Sequence, residues 1–124
     1  MHEHALVKDI VETLLATARK EELTAGAVRE VVMKVGGLEF HTEAAFRQTF
    51  DVLIRGTLLE GAGLNLTVLH PVLKCPGCGH EGPCREGDAD PHAPVPYAEC
   101  PKCGKVIPVT GGRGVEGIEL VLKE

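Results

Sequence analysis

The sequence predicts an α+β fold: a small mixed three-stranded sheet with two helices, into which a cysteine-stapled module is inserted. Three observations carry that prediction. Apolar residues recur at helical spacing in two segments and at strand spacing, or as β-branched runs, in three others. Those segments follow the order helix, strand, helix, strand, insert, strand. The insert is marked by two nearly identical pentapeptides, Cys75-Pro76-Gly77-Cys78-Gly79 and Cys100-Pro101-Lys102-Cys103-Gly104.

Leu6, Ile10, Val11, Leu14, Leu15 and Ala18 fall on one stripe, which predicts a helix from about His4 to Glu22, ended by Thr24-Ala25-Gly26. Ala27 to Val35 is rich in β-branched residues and bounded by Gly36-Gly37, the pattern of a strand. Thr42 is placed to cap a second helix from Glu43 to Arg55, with Ala45, Phe46, Phe50, Leu53 and Ile54 facing inward. Gly56, Gly61 and Gly63 break the chain. Leu64, Leu66 and Val68 then alternate in a strand expected to continue to about Leu73. Beyond the insert, Gly111-Gly112-Arg113-Gly114 resets the chain, and Ile118, Leu120 and Leu122 alternate in a last strand.

A strand–helix–strand unit crosses over right-handed, which makes the first two strands parallel, and the returning last strand completes a mixed sheet. The expected organisation is one α/β domain, residues 1–72 completed by 111–124, carrying a module of residues 73–110 on two stalks. Pro71 and Gly111-Gly112-Gly114 lie in those stalks and permit hinge motion.

Two thiols three residues apart, on a turn opened by proline and closed by glycine, can both point at one ion. Cys75, Cys78, Cys100 and Cys103 thus offer four thiolates, the tetrahedral set that Zn²⁺ takes in closed structural sites, and the insert reads as a zinc-ribbon-like module. Being rich in Pro and Gly and nearly free of Leu and Ile, it is expected to take its folding free energy from the ion. The same thiolates would hold iron in the manner of rubredoxin, which colour distinguishes from colourless zinc.

The formal net charge is −5 and no basic run occurs, which excludes a phosphate-neutralising surface and with it nucleic-acid binding. No apolar run reaches the roughly 18 residues of a membrane span. Met1-His2-Glu3-His4 is polar and does not open a signal peptide, and cysteines in an unexported chain are kept reduced, so a cytoplasmic location is expected. No Ser/His/Asp arrangement, phosphate-binding loop or paired acids suggests an enzyme.

The first residues admit a second metal. Ni²⁺ and Cu²⁺ accept square-planar nitrogen sets that Zn²⁺ does not favour. Here the set comprises the Met1 amine, retained before the bulky His2, the His2 and Glu3 backbone nitrogens and the His2 ring. Local chemistry alone fits a frayed, solvated terminus equally well.

Several motifs together resemble one family. They are Met1-His2-Glu3 before an amphipathic helix, a β-branched strand from Val31 ending in Val35-Gly36-Gly37-Leu38, the segment Gly56-Thr57 to Glu60-Gly61-Ala62, and the two C-P-x-C-G knuckles. This combination resembles the HypA/HybF family, nickel metallochaperones for [NiFe]-hydrogenase maturation. The resemblance implies that His2 is the essential nickel ligand, with Met1 and Glu3 completing the motif, and that the four cysteines hold structural zinc. It also implies a HypB-type GTPase as partner and delivery to the hydrogenase large subunit or its maturation complex. Glu3 is implied to shape the nickel site and partner choice, while its position at a helix N-terminus favours a carboxylate in any case.

One departure is informative. The gap between knuckles, residues 79–99, is longer than the resemblance leads one to expect, and it contains Asp88-Ala89-Asp90-Pro91-His92. His92 is expected to reach the terminus as an additional nickel ligand. His80 is read as orienting a thiolate, Cys84 as a spare thiol, His41 as structural at a helix start, His70 as a stalk residue in a strand, and His4 as a turn-face residue. The competing reading is a zinc-ribbon interaction module without transported metal.

Overall fold

The computed structural model describes residues 2–85, 88–89 and 95–124, the side chains of His2 and Glu3 excepted. Helix α1 spans His2–Lys20, strand β1 Val28–Gly36 and helix α2 Glu43–Ile54. Strands β2 (Gly63–Leu69), β3 (Val72–Lys74), β4 (Glu81–Pro83), β5 (Tyr97–Glu99), β6 (Val106–Thr110) and β7 (Val115–Leu122) follow.

Strand β1 lies at the centre of the first sheet, in the order β2-β1-β7. It pairs in parallel with β2, Val31 opposite Leu64, and antiparallel with β7, Val31 opposite Leu120. The expected mixed three-stranded sheet with two helices is thus the one observed. Val31, Met33 and Val35 turn one face of β1 into a core with Val7, Ile10, Val11 and Leu14 of α1 and Phe46, Phe50 and Ile54 of α2. Lys34, Asn65, Thr67 and Glu119 on the other face are exposed, the alternation that a one-sided sheet requires. Val7 and Leu59 are fully buried although neither belongs to the stripes that identify the helices.

Helix α2 begins as expected: Thr42 sits in extended backbone and its hydroxyl accepts the Ala45 N–H at 3.0 Å. The strand after α2 does not continue to Leu73. It stops at Leu69, and β3 starts at Val72 in a different sheet. Pro71 has no N–H to extend a ladder, and its carbonyl instead accepts the Cys84 N–H at 2.8 Å. His70 therefore lies between strands rather than within one.

The second sheet has the order β4-β3-β6-β5. Around it Leu73, Cys75, Cys84, Ala98, Cys100, Ile107 and Val109 gather with Leu38 into a second buried cluster. The insert therefore does gather a small apolar cluster, partly by borrowing Leu38 from the segment after β1. Cys84 is 4% exposed within that cluster, so the thiol read as spare is a buried one.

Both crossings between the sheets are tied to the turn that follows β1. Gly37 N–H donates to the Leu69 carbonyl (2.9 Å), and Leu38 N–H to the Gly112 carbonyl (2.8 Å). The Gly114 N–H donates to the Glu39 carboxylate at 2.6 Å, and the Arg113 guanidinium to the Leu38 carbonyl at 3.1 Å.

Candidate metal centre

Each knuckle is a tight turn built from the same two backbone bonds. Cys75 N–H donates to the His80 carbonyl (2.8 Å) and Gly79 N–H to the Cys75 carbonyl (2.9 Å). In the second, Cys100 N–H donates to the Lys105 carbonyl (2.7 Å) and Gly104 N–H to the Cys100 carbonyl (2.9 Å). Gly79 and Gly104 close the turns at φ +78° and +77°, a conformation that side-chain-bearing residues rarely adopt. In each knuckle the first cysteine is buried and the second exposed.

The pairing β3–β6 brings the two knuckles face to face. Cys75 Sγ lies 3.5 Å from Cys103 Sγ and Cys78 Sγ 3.6 Å from Cys100 Sγ, so each close pair joins one knuckle to the other. All four sulfurs fall within 4.8 Å of one another. A tetrahedral ion with metal–sulfur bonds of about 2.3 Å has sulfur–sulfur edges of about 3.8 Å, so the four donors fit such an ion with little rearrangement. Among the described residues this is the one group of three or more ligand-type side chains gathered so closely; His80 and Cys84 stand outside it.

The electrostatics also suit a cation. The Cys78 N–H pulls the Cys75 thiol down to about 6, with Cys103 and Gly77 acting in the same direction against burial. The Lys105 N–H draws Cys103 down, but the shared contact with Cys75, followed by burial, outweighs it and pushes that thiol up to about 11. One sulfur thus ionises readily and its neighbour resists, the pattern of like charges crowded together, which a cation between them would relieve. Lys105 adds positive charge that motif spacing does not reveal. Its side chain crosses from the second knuckle to the first, with Nζ 3.1 Å from where a Cβ on Gly77 would lie.

The other candidates are dispersed. His80 shapes the first knuckle through its carbonyl, and its ring lies over Gly82. His41, His70 and Cys84 border a small cavity of ≈ 60 Å³ between the sheets, and burial pushes the Cys84 thiol up, assisted by Asp88. His4 lines a groove against Gln48, Thr49, Val52 and Leu53 of α2. Met1 and His92 lie outside the described residues, as do the side chains of His2 and Glu3. No helix among the described residues is long and apolar enough to cross a membrane.

Comparison with known proteins converges on one description. Residues 1–121 match the family model for HypA, described as hydrogenase/urease nickel incorporation metallochaperone. Hydrogenase maturation factor HypA of Methanothermobacter thermautotrophicus is 38% identical over 104 residues, 84% of this chain and 81% of that one. Its counterpart from Pyrococcus furiosus is 34% identical over 128 residues, covering 93% and 91%. The solution structure of the Ni metallochaperone HypA from Helicobacter pylori aligns over 99% of this chain and 100% of that chain with a TM-score of 0.51; at 22% identity the likeness is one of fold.

Proposed function

The chain belongs to the HypA family of nickel-incorporation metallochaperones, and from that premise we propose that it carries Ni²⁺ at Met1-His2-Glu3 and delivers it to [NiFe] hydrogenase. The four cysteines form its second metal site, which we assign to structural zinc. The observation that carries this reading is the extent of the family match, which includes both the first three residues and the two knuckles.

Two physical arguments support it. Helix α1 starts at His2, and the first four N–H groups of any helix lack an acceptor within it. The His2 and Glu3 amide nitrogens therefore lose no helical hydrogen bond on deprotonation and can join the Met1 amine and His2 ring around a square-planar ion. Cargo must also leave, and an exposed, incompletely coordinated site permits exchange where a closed cage does not.

In this reading residues 1–72 and 111–124 form the nickel-binding domain and residues 73–110 the zinc-binding domain. The two sheets, each with its own apolar cluster, support the division. Zinc, when bound, would offset half of the thiolate charge and lock the knuckles together, while Lys105 balances part of the remainder. The chain catalyses no reaction of its own. It works in the cytoplasm with a HypB-type GTPase that gives or takes nickel, and its final recipient is the hydrogenase large subunit or its maturation complex. His92 serves as an additional nickel ligand.

Nickel titration of the zinc-loaded protein, followed by calorimetry and absorption, tests the assignment. One tight equivalent is expected for the native chain with a free Met1 amine, and loss of the square-planar absorption for His2→Ala and for the acetylated terminus. Equal uptake by all three leaves a zinc-ribbon interaction module. Unchanged affinity in His92→Ala removes His92 alone. Elemental analysis decides zinc against iron.

A further inference from the structure

Strand β7 is an edge strand, and beside it runs an apolar groove. Its neighbour β1 occupies one side, so every second N–H and C=O of β7 points outward with no strand among the described residues to receive it. Between β7 and α1 lies a groove of ≈ 450 Å³, with Ile118, Leu120 and Leu122 on its floor, Thr13 and Thr17 of α1 along its wall and Glu21 in the turn after the helix. Ile118 is 37% and Leu122 47% exposed. Edge strands are ordinarily blunted by lysine, proline or a bulge. Here Gly117, at φ +63°, lies where the pairing with β1 shifts, but Ile118 to Leu122 carries neither lysine nor proline.

The charge of this edge selects its occupant. Neither the groove lining nor β7 contains a cation, whereas together they carry Glu21, Glu116 and Glu119. Lys34 stands opposite Glu116 in the sheet, but Glu119 faces Val32 and gains no cross-strand partner there. A second copy would bring the same carboxylates against each other. We propose that this edge receives an extended segment of a partner protein in which apolar residues alternate with Lys or Arg. The segment would add a strand to β7, placing its apolar side chains in the groove and its cations on the opposite face of the sheet, beside Glu116 and Glu119.

The test uses the full-length, metal-loaded protein and two capped nonapeptides, one alternating valine with lysine and the other valine with glutamate. The lysine peptide is expected to perturb the amide resonances of β7 and of residues 13–23, with a preference of about tenfold or more over the glutamate peptide that falls as salt is raised. Methylating alternate peptide nitrogens should abolish binding, because strand addition needs those donors. Glu116→Lys/Glu119→Lys changes two exposed positions on the face that the cations would take and should reverse the preference. Binding that maps elsewhere, survives methylation or keeps its preference in the double variant overturns the proposal. So does no binding, or self-association through β7.

Discussion

Gly36 and Gly112 pack backbone against backbone: a Cβ added to Gly36 would overlap the carbonyl of Gly112. Gly36 ends β1, and Gly112 lies in the segment returning from the second sheet to the first. A Cβ on Gly112 would in turn fall 2.8 Å from Pro71. Three chain segments thus meet where no side chain fits, and this contact holds both crossings in place.

Gly36→Ala is therefore expected to destabilise the protein by about 2 kcal/mol or more, read as a lower midpoint in denaturant, because backbone cannot yield as a flexible side chain can. Gly56→Ala is the matched control. Its φ is +76° but nothing lies within 4 Å, so only the conformational strain of about 1–2 kcal/mol remains. An equal or larger loss at Gly56 would show that the crossing is looser than described.

Thr42→Ala removes the hydroxyl that accepts the Ala45 N–H. A loss of about 1 kcal/mol is expected from equilibrium unfolding, and Thr42→Ser should retain most of it.

Removing the metal should expose a pH dependence of definite sign. The thiolate form of Cys75 is favoured in the fold, so its contribution is complete above the ordinary 9.0 and is lost as the pH falls through about 6. Cys103 has the opposite sign: its thiol form is favoured, and that contribution is present below 9.0 and lost as the pH rises through about 11. The metal-free second sheet should thus be most stable near pH 9 and weaken towards pH 6. Fluorescence of Tyr97, the chain's single tyrosine, reports this because the residue lies on β5. Adding metal should shift the loss to lower pH, since protons must then displace the ion. Greater stability of the metal-free form at pH 6 than at pH 9 would contradict these assignments.

Lys105→Met keeps much of the side-chain bulk over Gly77 but removes its charge. Zinc should then bind about tenfold less tightly in chelator competition, with Lys105→Arg close to native. Equal zinc affinity in Lys105→Met would limit the residue to packing.

Both helices, the centre of β1, the Thr42 cap and the two knuckles were legible in the sequence because each is specified within a few residues. Apolar stripes repeat every turn, the cap spans Thr42 to Ala45, and each knuckle closes on its own Gly79 or Gly104. Those elements also implied the mixed sheet, since a parallel β1–β2 pair needs the α2 crossover. The twin knuckles named their own chemistry, although not which sulfur would meet which.

What only the tertiary structure decided lies in contacts between distant residues. Three-residue strands such as β4 and β5 are too short to show a period, so the second sheet had no local sign. Cys84 became a core residue because Leu38, far earlier in the chain, packs into the same cluster. Strand β2 stopped at Leu69 because Pro71 cannot extend a ladder and both crossings must meet the turn after β1. Lys105 reached Gly77, and Gly36 met Gly112, only once the sheets had closed. Local bonds are written in neighbouring residues, whereas close packing between distant segments depends on geometry that no short stretch of sequence contains.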